Sequence, residues 1–312
     1  MRSPNDWENS APSMIHTPVL LEEVLSYLKP QSGKNYIDAT ADGGGHAAAI
    51  IARLRPDGRL LGLEWDEALF RILTQQLKRE CPGSSKNYIL RRASFTSLAE
   101  VVRPLNFRPV SGILFDLGLS SFHIEASRRG FSFQRLEPLD MRFSPFDLSE
   151  TAAELLNRRS VPEIEELLGD FGEERFAKRI ARKIGEVRKR RPFRMTTDLV
   201  AAVRAATPAW YHRRRSHSAT KTFQALRIAV NHELENLKRG LRQAAEVLAP
   251  GGVLITIAFH SLEERTIKEF LRSESKAGRL TAVVKKPITP SREAIYRNPR
   301  ARSAKMRIFE RR

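Results

Sequence analysis

Three acidic residues occupy positions from which a carboxylate can act on a bound ligand. Asp38, Glu64 and Asp116 each end a short run of mostly apolar residues. Such runs are typical of strands buried in a parallel sheet, and ligands bind these sheets beyond the carboxyl ends of the strands. We therefore predict that the three carboxylates meet at one ligand-binding edge of a sheet.

A glycine-rich turn follows the first of these acids, because residues 38–46 read Asp-Ala-Thr-Ala-Asp-Gly-Gly-Gly-His and lead into a helical pattern. Glycine allows a positive φ and close approach to a ligand, and a helix N-terminus offers free N–H groups. The spacing does not fit the dinucleotide fingerprint of dehydrogenases. An acid before such a turn suits S-adenosylmethionine, whose charged amine the acid can receive. Glu64, 26 residues after Asp38, would then bind the ribose hydroxyls.

Two other interpretations of this turn stay open. It could be an ordinary glycine-rich connection between a strand and a helix, although the position of Glu64 disfavours that interpretation. A nicotinamide dehydrogenase is the weakest alternative, because the glycine spacing is wrong for it.

The remaining elements follow from apolar periodicity. Strands are predicted at Tyr36–Ala39, Arg59–Leu63, Asn87–Arg91, Gly112–Asp116 and Val253–Phe259, the last after a Pro250-Gly251-Gly252 turn, with a closing antiparallel pair at Thr281–Lys285 and Lys305–Phe309. Helices are predicted from Pro18, capped by Thr17, and at Gly45–Leu54, Glu67–Glu80, residues 97–103, Thr222–Val247 and residues 260–272. Residues 1–13 are expected to be disordered, residues 117–123 to form a loop, and residues 211–217 to form an exposed, mobile loop.

This alternation predicts an α/β fold with a doubly wound, mostly parallel sheet. The alternation stops after Asp116, and residues 150–207 are helical throughout. We therefore predict a core of residues 14–124 and 221–312 and an all-α insertion of residues 125–220 that recognises the substrate. Residues 128–143 mix arginines with aromatic residues, which can hold phosphates and stack on bases.

The net charge of +18 is concentrated in two segments. Residues 178–215 hold 13 basic and 2 acidic residues, and residues 285–312 hold 10 basic and 2 acidic residues, so the rest of the chain is close to neutral. Concentrated positive charge on a neutral body favours a nucleic acid as the partner. The alternative is a pair of solvated helical faces.

The composition also excludes several classes. No run of 18 apolar residues is present, which argues against a membrane span, and residues 1–13 contain no apolar signal segment. A single cysteine, Cys81, excludes a disulfide framework and favours a cytoplasmic location. His212, His217, His232 and His260 lack metal-ligand spacing, so no metal is expected.

The chain resembles the RsmH (MraW) family of bacterial S-adenosylmethionine-dependent 16S ribosomal RNA cytosine-N4 methyltransferases. The resemblance runs from His16 to Arg312 and rests on several segments: residues 16–21, the turn at 38–46, residues 116–121, 130–133, 138–142, 172–177, 222–227, 259–263 and 298–303. It implies a class I, Rossmann-like methyltransferase fold with a helical insertion, and a cytidine of the decoding (P-site) region as the target.

The resemblance also implies which residues contact the cofactor: Gly44, Gly45, His46, Glu64, Phe95, Asp116 and His123. Phe95 would pack on the adenine ring, with burial in the core as the equal alternative. The family often has Asp at the position of Glu64 and Gln at that of His123, and both replacements keep the hydrogen-bonding role. Asp42 stands where the family usually has glycine.

Methyl transfer to an exocyclic amine requires an aligned donor and an acceptor for the amine hydrogens, and the base must leave its stack. Asp116 is a candidate for this acceptor, but the segment after it lacks the Pro-Pro-aromatic sequence usual in amino-methyltransferases, so it could serve the cofactor, the substrate or both. Ser120, Ser121, His260 and Ser261 are expected nearby, with a purely structural role as the alternative for His260. A methyltransferase with another target and a non-catalytic RNA-binding or ribosome-assembly factor are the rival functions. The sequence leaves the oligomeric state open, with a homodimer as one alternative.

Overall fold

Seven strands form one sheet in this computed structural model, which describes residues 18–214 and 216–312. The strands are β1 Asn35–Asp38, β2 Arg59–Glu64, β3 Tyr88–Arg92, β4 Val110–Asp116, β5 Leu248–Ala258, β6 Leu280–Ala282 and β7 Lys305–Arg311. Their order in the sheet is β3-β2-β1-β4-β5-β7-β6. The first five strands are parallel, whereas β7 is antiparallel to both of its neighbours, β5 and β6. The predicted doubly wound, mostly parallel sheet is confirmed.

The helices are α1 Leu21–Leu28, α2 Gly45–Leu54, α3 Glu67–Glu80, α4 Leu98–Val102, α5 Ser121–Glu125, α6 Ala152–Arg158, α7 Val161–Asp170, α8 Ala177–Arg188, α9 Thr196–Ala206, α10 Ala209–His212, α11 Thr220–Asn231, α12 Glu233–Val247, α13 Ser261–Lys276 and α14 Arg292–Arg297. Side chains alternate between the faces of a strand. Tyr36 thus packs with α1, α2 and α3, while Ile37 packs on the other face with α4, α12 and α13. No helix in the described ranges is both long and apolar enough to cross a membrane.

A third hydrophobic cluster lies outside the sheet and is built by α6 to α9 together with α11. Leu139 and Met141, from the preceding irregular segment, are also buried in it. The boundaries of the predicted domains stay a prediction. The cluster nevertheless shows that the helices of residues 150–207 share a core of their own, as their apolar periodicity requires.

The helix predicted over Thr222–Val247 is in fact two helices, because His232 has φ 50° and separates α11 from α12. No Gly or Pro marks this break, and histidine is among the residues that tolerate the left-handed region. The side chain of Asn236 donates a hydrogen bond to the carbonyl oxygen of Asn231 at 2.8 Å, which satisfies a group that the end of α11 leaves open.

Pro250-Gly251-Gly252 was predicted as a turn before β5 but lies within this strand. Val110 pairs with Leu248 and Gly112 with Val253, so the extra residues of β5 form a bulge beside β4. The first helix begins at Leu21, with Leu20 as its N-cap residue, and not at Pro18. Thr17 and the predicted disorder of residues 1–13 lie outside the described residues.

Two predicted loops contain short helices. The hydroxyl of Ser120 accepts a hydrogen bond from the backbone N–H of Phe122 at 3.1 Å and caps α5, where a loop was predicted. In the second loop, Tyr211 is buried in α10 instead of being exposed. Its hydroxyl donates to the carboxylate of Glu174 at 2.8 and 3.0 Å, a partner that the local sequence could not reveal.

Candidate active site

A cleft lies at the carboxyl ends of β1, β2 and β4, where the sequence placed the ligand edge. It encloses about 760 Å³, including the part that opens to solvent. Acidic, aromatic and small residues line it: Ala39, Thr40, Asp42, Leu63, Glu64, Trp65, Ala93, Ser94, Phe95, Asp116, Leu117, Gly118, His123, Phe143, Asn231, Glu233, Asn236, Leu237 and Glu263. The structure therefore brings Glu64, Phe95, Asp116 and His123 of the predicted set together.

The carboxyl groups at this edge are buried close to one another. Burial raises the pKa of Asp38 to about 7, against a hydrogen bond from the backbone N–H of Thr40. Burial, with the charges of Asp38 and Glu263, raises the pKa of Asp116 well above its ordinary value. One carboxyl oxygen of Asp38 and one of Asp116 have no hydrogen-bond partner within the described ranges. This edge therefore attracts a cation and hydrogen-bond donors.

Asp42 and Glu64 extend this acidic edge. Burial is the largest cause that raises the pKa of each, and for Asp42 the charges of Asp116, Asp38 and Asp66 add to it. Asp42 has φ 44°, a left-handed conformation that aspartate tolerates better than most residues. The residue that departs from the family pattern thus keeps the turn and adds a carboxyl group to the cleft.

The glycine turn serves the packing of the helix as well as the ligand edge. Gly44 caps α2 with φ 88°, and a Cβ atom there would lie 3.0 Å from Leu73 Cδ1 on α3. Gly44, Gly45 and His46 are not among the residues that line the cleft, so their predicted contacts with a cofactor stay predictions. His46 is buried, and its Nδ1 lies 3.8 Å from a carboxylate oxygen of Asp116.

Phe95 lines the cleft and also packs edge-on against Phe115, with ring centroids 5.4 Å apart. Gly240 on α12 makes room for it, because a Cβ atom at this position would lie 2.5 Å from Phe95 Cδ2. Phe95 thus packs in the core and also faces the cleft, and its contact with a ligand stays a prediction.

His123 belongs to a buried network whose other members the sequence did not single out. Its Nε2 lies 3.1 Å from Asp66 Oδ2, and the guanidinium of Arg129 donates to the same oxygen. Arg129 also donates to the carbonyl oxygens of Arg142 and Phe143, at 2.8 and 2.7 Å. Burial lowers the pKa of His123, so its ring is neutral near pH 7. The network holds the start of the insertion against the N-terminus of α3.

A second network lies at the start of α13. Glu263 lines the cleft, accepts hydrogen bonds from the backbone N–H groups of Phe259 at 2.7 Å and His260 at 3.2 Å, and lies 3.1 Å from His260 Nε2. Burial opposes the ionisation of Glu263, but the interactions with His260, with Arg227 and with the backbone N–H of Phe259 together lower its pKa. The sequence signal for Glu263 was the capping pattern at His260–Glu263, a potential acceptor followed three residues later by Glu.

His260, Glu233 and Glu263 also form a group that could hold a metal ion, with one ligand atom from each within 4.8 Å of the others. Each has a protein partner already, since Arg227 donates two hydrogen bonds to Glu233, at 2.7 and 2.9 Å. The expectation of a metal-free reaction stays a prediction. The sequence could not show this group, because His260 and Glu233 are distant in the chain.

The remaining predicted residues do not line the cleft. Ser120 caps α5, and the hydroxyl of Ser121 accepts a hydrogen bond from Arg300 at 2.6 Å. The hydroxyl of Ser261 donates to Glu173 at 2.7 Å, and His260 begins α13. These contacts give each residue a structural role, and their catalytic roles stay predictions.

Comparisons with known proteins identify the family of the chain. The MraW methylase family matches residues 13–312. Proteins named Ribosomal RNA small subunit methyltransferase H from Dictyoglomus thermophilum and Thermomicrobium roseum are each 45% identical to the chain. Each alignment covers 96% of this chain, together with 97% of the Dictyoglomus protein and 94% of the Thermomicrobium protein. An O-methyltransferase from Bacillus cereus, solved in complex with SAH, aligns with 96% of this chain and 83% of its own at 9% identity and a TM-score of 0.47. The chain therefore belongs to the MraW methylase family, as the resemblance predicted, and is a methyltransferase.

Proposed function

We propose that the protein transfers the methyl group of S-adenosylmethionine to the exocyclic N4 amine of a cytidine in the decoding region of 16S ribosomal RNA. The reaction takes place in the cytoplasm, within the small ribosomal subunit. The relatives' names, which specify ribosomal RNA of the small subunit, support this class of substrate. The single observation that carries the proposal is the carboxyl group of Asp116 at the end of β4, with one oxygen unpartnered in the described part of the chain.

The residues of the cleft fit S-adenosylmethionine. The unpartnered carboxyl oxygen of Asp116 suits a ligand that carries positive charge, Glu64 suits the ribose hydroxyls, and Phe95 offers an aromatic ring for the adenine. Asp38 does not line the cleft, but its buried carboxyl group lies behind it and acts on the pKa of Asp116. When bound, this cofactor supplies the activated methyl group. The network of Asp66, His123 and Arg129 keeps the wall of the cleft in place during the reaction.

The carboxylate of Asp116 accepts a proton from the N4 amine as the amine develops positive charge. Its backbone N–H donates to the hydroxyl of Thr40 at 2.7 Å, which fixes the end of β4 beside β1. Burial and the negative charges of Asp38 and Glu263 raise the pKa of Asp116, which makes its carboxylate a stronger base once it is ionised. Glu263 thus acts on the reaction through Asp116.

Nucleoside analysis by mass spectrometry tests this proposal. Unmethylated small subunits are incubated with S-adenosylmethionine and either the wild type or Gly44→Val, which places a branched side chain against Leu73 at a positive φ. We expect N4-methylcytidine with the wild type only. A different methylated nucleoside would exclude the cytosine-N4 assignment. Cofactor binding without any methylated nucleoside, on naked RNA and on assembled subunits, would favour the non-catalytic assembly factor.

A further inference from the structure

A half-exposed tryptophan stands at the surface of the insertion, surrounded by aromatic rings and arginines. Trp210 on α10 is 49% exposed. Its ring centroid lies 5.8 Å from that of Phe176 and 5.7 Å from that of Tyr211, and the guanidinium carbon of Arg175 lies 5.6 Å from it. We call Trp210, Phe176, Tyr211 and Arg175 the Trp210 cluster.

Buried contacts hold this cluster rigidly. Tyr211 is only 4% exposed, and its two hydrogen bonds to Glu174 anchor α10 to the turn before α8. Burial and the neighbouring carboxylate raise the pKa of Tyr211 to about 12, so its hydroxyl stays protonated and keeps donating. The backbone that carries Trp210 is therefore anchored, and its ring packs against Phe176 and Tyr211, which reduces the conformational entropy that a stacking ligand would have to remove.

Positive charge surrounds the cluster. The guanidinium carbon of Arg179 lies 5.8 Å from the ring centroid of Phe176, and that of Arg214 lies 5.3 Å from the ring centroid of Tyr211. Just after the basic segment of residues 178–215, exposed His217 stacks on Phe133 with ring centroids 4.5 Å apart. Aromatic rings set among cations form the combination that binds single-stranded nucleic acid, because the rings stack on bases and the cations attract phosphates.

One residue links this surface to the cleft. Glu173, which precedes the anchoring Glu174, accepts hydrogen bonds from Ser261 at 2.7 Å and Arg265 at 2.9 Å, both on α13. The same helix carries Glu263, which lines the cleft. The segment that anchors the Trp210 cluster therefore contacts the start of α13, the helix that also contributes to the cleft.

We propose that the Trp210 cluster binds a single-stranded segment of the RNA substrate by stacking one unpaired base on the indole ring of Trp210, with Arg175 and Arg179 at its phosphates. The proposal rests on the proposed function, since it names where that RNA is held outside the cleft. The cluster contributes to the affinity for RNA, whereas the chemistry stays at the cleft.

Equilibrium binding tests the proposal without any methyl transfer. The probe is a fluorescent, unstructured single-stranded RNA of 12 nucleotides, compared with the same phosphodiester chain carrying abasic sites at its central positions. We expect Trp210→Ala to weaken binding of the normal RNA by about 5- to 100-fold, the range for loss of one base–aromatic stack. Trp210→Phe should restore most of the affinity. Binding of the abasic chain should be the same for the wild type and Trp210→Ala.

The matched control is Tyr296→Ala, which removes an aromatic side chain that is 88% exposed and lies in the other basic segment. An equal loss for Tyr296→Ala, or an equal loss for the abasic chain, would overturn the assignment to stacking on Trp210. Should Trp210→Ala fail to fold, photo-crosslinking of a 4-thiouridine RNA to the wild type decides. Adducts on the peptide that contains Trp210 support the proposal, and their absence there contradicts it.

The outcomes for the two proposals are separable. If nucleoside analysis finds no N4-methylcytidine while Trp210→Ala still weakens RNA binding, the cytosine-N4 function fails and the stacking surface stands. If methylation proceeds and neither binding nor the KM for the small subunit changes in Trp210→Ala, the stacking surface fails alone.

Discussion

The cleft and the Trp210 cluster differ in the sign of their charge and in the way the charge is held. In the cleft, Asp42, Glu64 and Asp116 line the same cavity, and burial raises the pKa of each. Around the cluster, Arg175 and Arg179 lie over aromatic rings and keep their charged groups in solvent. Buried like charges oppose folding and are relieved by a cationic ligand, whereas exposed charges cost little and are screened by salt.

This difference predicts two kinds of mutational effect. Substitutions in the cleft should change the rate of methyl transfer strongly. Their effects should depend on the pH and should include a change in the free energy of unfolding. Changes on the outer surface should alter RNA affinity modestly, should add independently and should depend on the salt concentration.

The largest expected effect is that of Asp116→Asn, which removes the amine acceptor and one charge of the buried group. Methyl transfer in a single turnover should slow by about 10²- to 10⁴-fold, the usual contribution of a positioned proton acceptor. The free energy of unfolding, from urea denaturation at pH 7.5, should not fall, because a buried carboxylate is removed. Glu100→Gln, at an exposed acid, is the control. A near-normal rate would remove Asp116 from the reaction.

Arg129→Ala should be the most destabilising change. It leaves the carboxylate of Asp66 buried with His123 as its remaining side-chain partner and leaves the carbonyl oxygens of Arg142 and Phe143 without their donor. Loss of one partner of a buried ion pair costs about 3–5 kcal/mol. Chemical denaturation would measure this loss, with Arg71→Ala, at an exposed pair on α3, as the control of about 0–1 kcal/mol. Equal losses would contradict a special role for the network.

Gly240→Ala should affect cofactor affinity and stability together. The new methyl group meets the ring of Phe95 at 2.5 Å, so the ring or α12 must move. We expect a loss of about 1–3 kcal/mol in the free energy of unfolding and weaker binding of S-adenosylmethionine by calorimetry. Gly169→Ala is the matched control, because a Cβ atom there meets nothing within 4 Å on α7 and should stabilise the helix by about 0.5–1 kcal/mol. If the affinity for S-adenosylmethionine is unchanged in Gly240→Ala, Phe95 packs in the core and does not contact the cofactor.

The pH should act on the cleft through Asp38, whose pKa burial raises to about 7. A cationic cofactor favours the ionised carboxylate, so its affinity should increase with pH up to about pH 8, by at most about tenfold per pH unit.

The stability of the free protein should decrease over the pH range in which the cofactor affinity increases. The folded state keeps a proton that the unfolded state loses near pH 4, so stability falls as the pH rises from about 4 to about 7. Calorimetry in buffers of different ionisation enthalpy should detect proton release, and binding that is independent of pH would contradict this coupling.

The smallest effect is expected for Arg182→Ala on the exposed face of α8. It should weaken RNA binding only a few-fold and reduce the slope of log affinity against log salt by about 0.7–0.9, the value for one phosphate contact. Titrations of RNA at several salt concentrations would show it. Trp210→Ala should leave that slope unchanged, and a changed slope would make its effect electrostatic.

The elements that the sequence predicted correctly are those whose signal is local. Asp38, Glu64 and Asp116 end β1, β2 and β4, and because these strands are parallel neighbours, their place at one edge of the sheet followed from the strand pattern alone. Gly44 was found for its positive φ, although the structure gives it contacts with α3.

The residues that the sequence did not reveal depend on tertiary contacts. Arg129 reaches Asp66 across 63 positions of the chain, and no local pattern connects them. The break at His232 carries no Gly or Pro. The buried hydroxyl of Tyr211 donates hydrogen bonds to Glu174, which is 37 positions away in the chain. The position of Glu263 at the start of α13 could have been predicted, because the capping pattern that begins at His260 is visible in the sequence.

The break at His232 has a mechanical consequence. The apolar side of α11 belongs to the cluster of the insertion, whereas that of α12 belongs to the sheet, and one residue with φ 50° joins them. Its neighbours Asn231 and Glu233 both line the cleft. A rotation of α11 relative to α12 would therefore be centred on residues that line the cleft. Such a rotation would displace the far end of the insertion by a large distance, whereas at the cleft it would mainly change the orientation of Asn231 and Glu233.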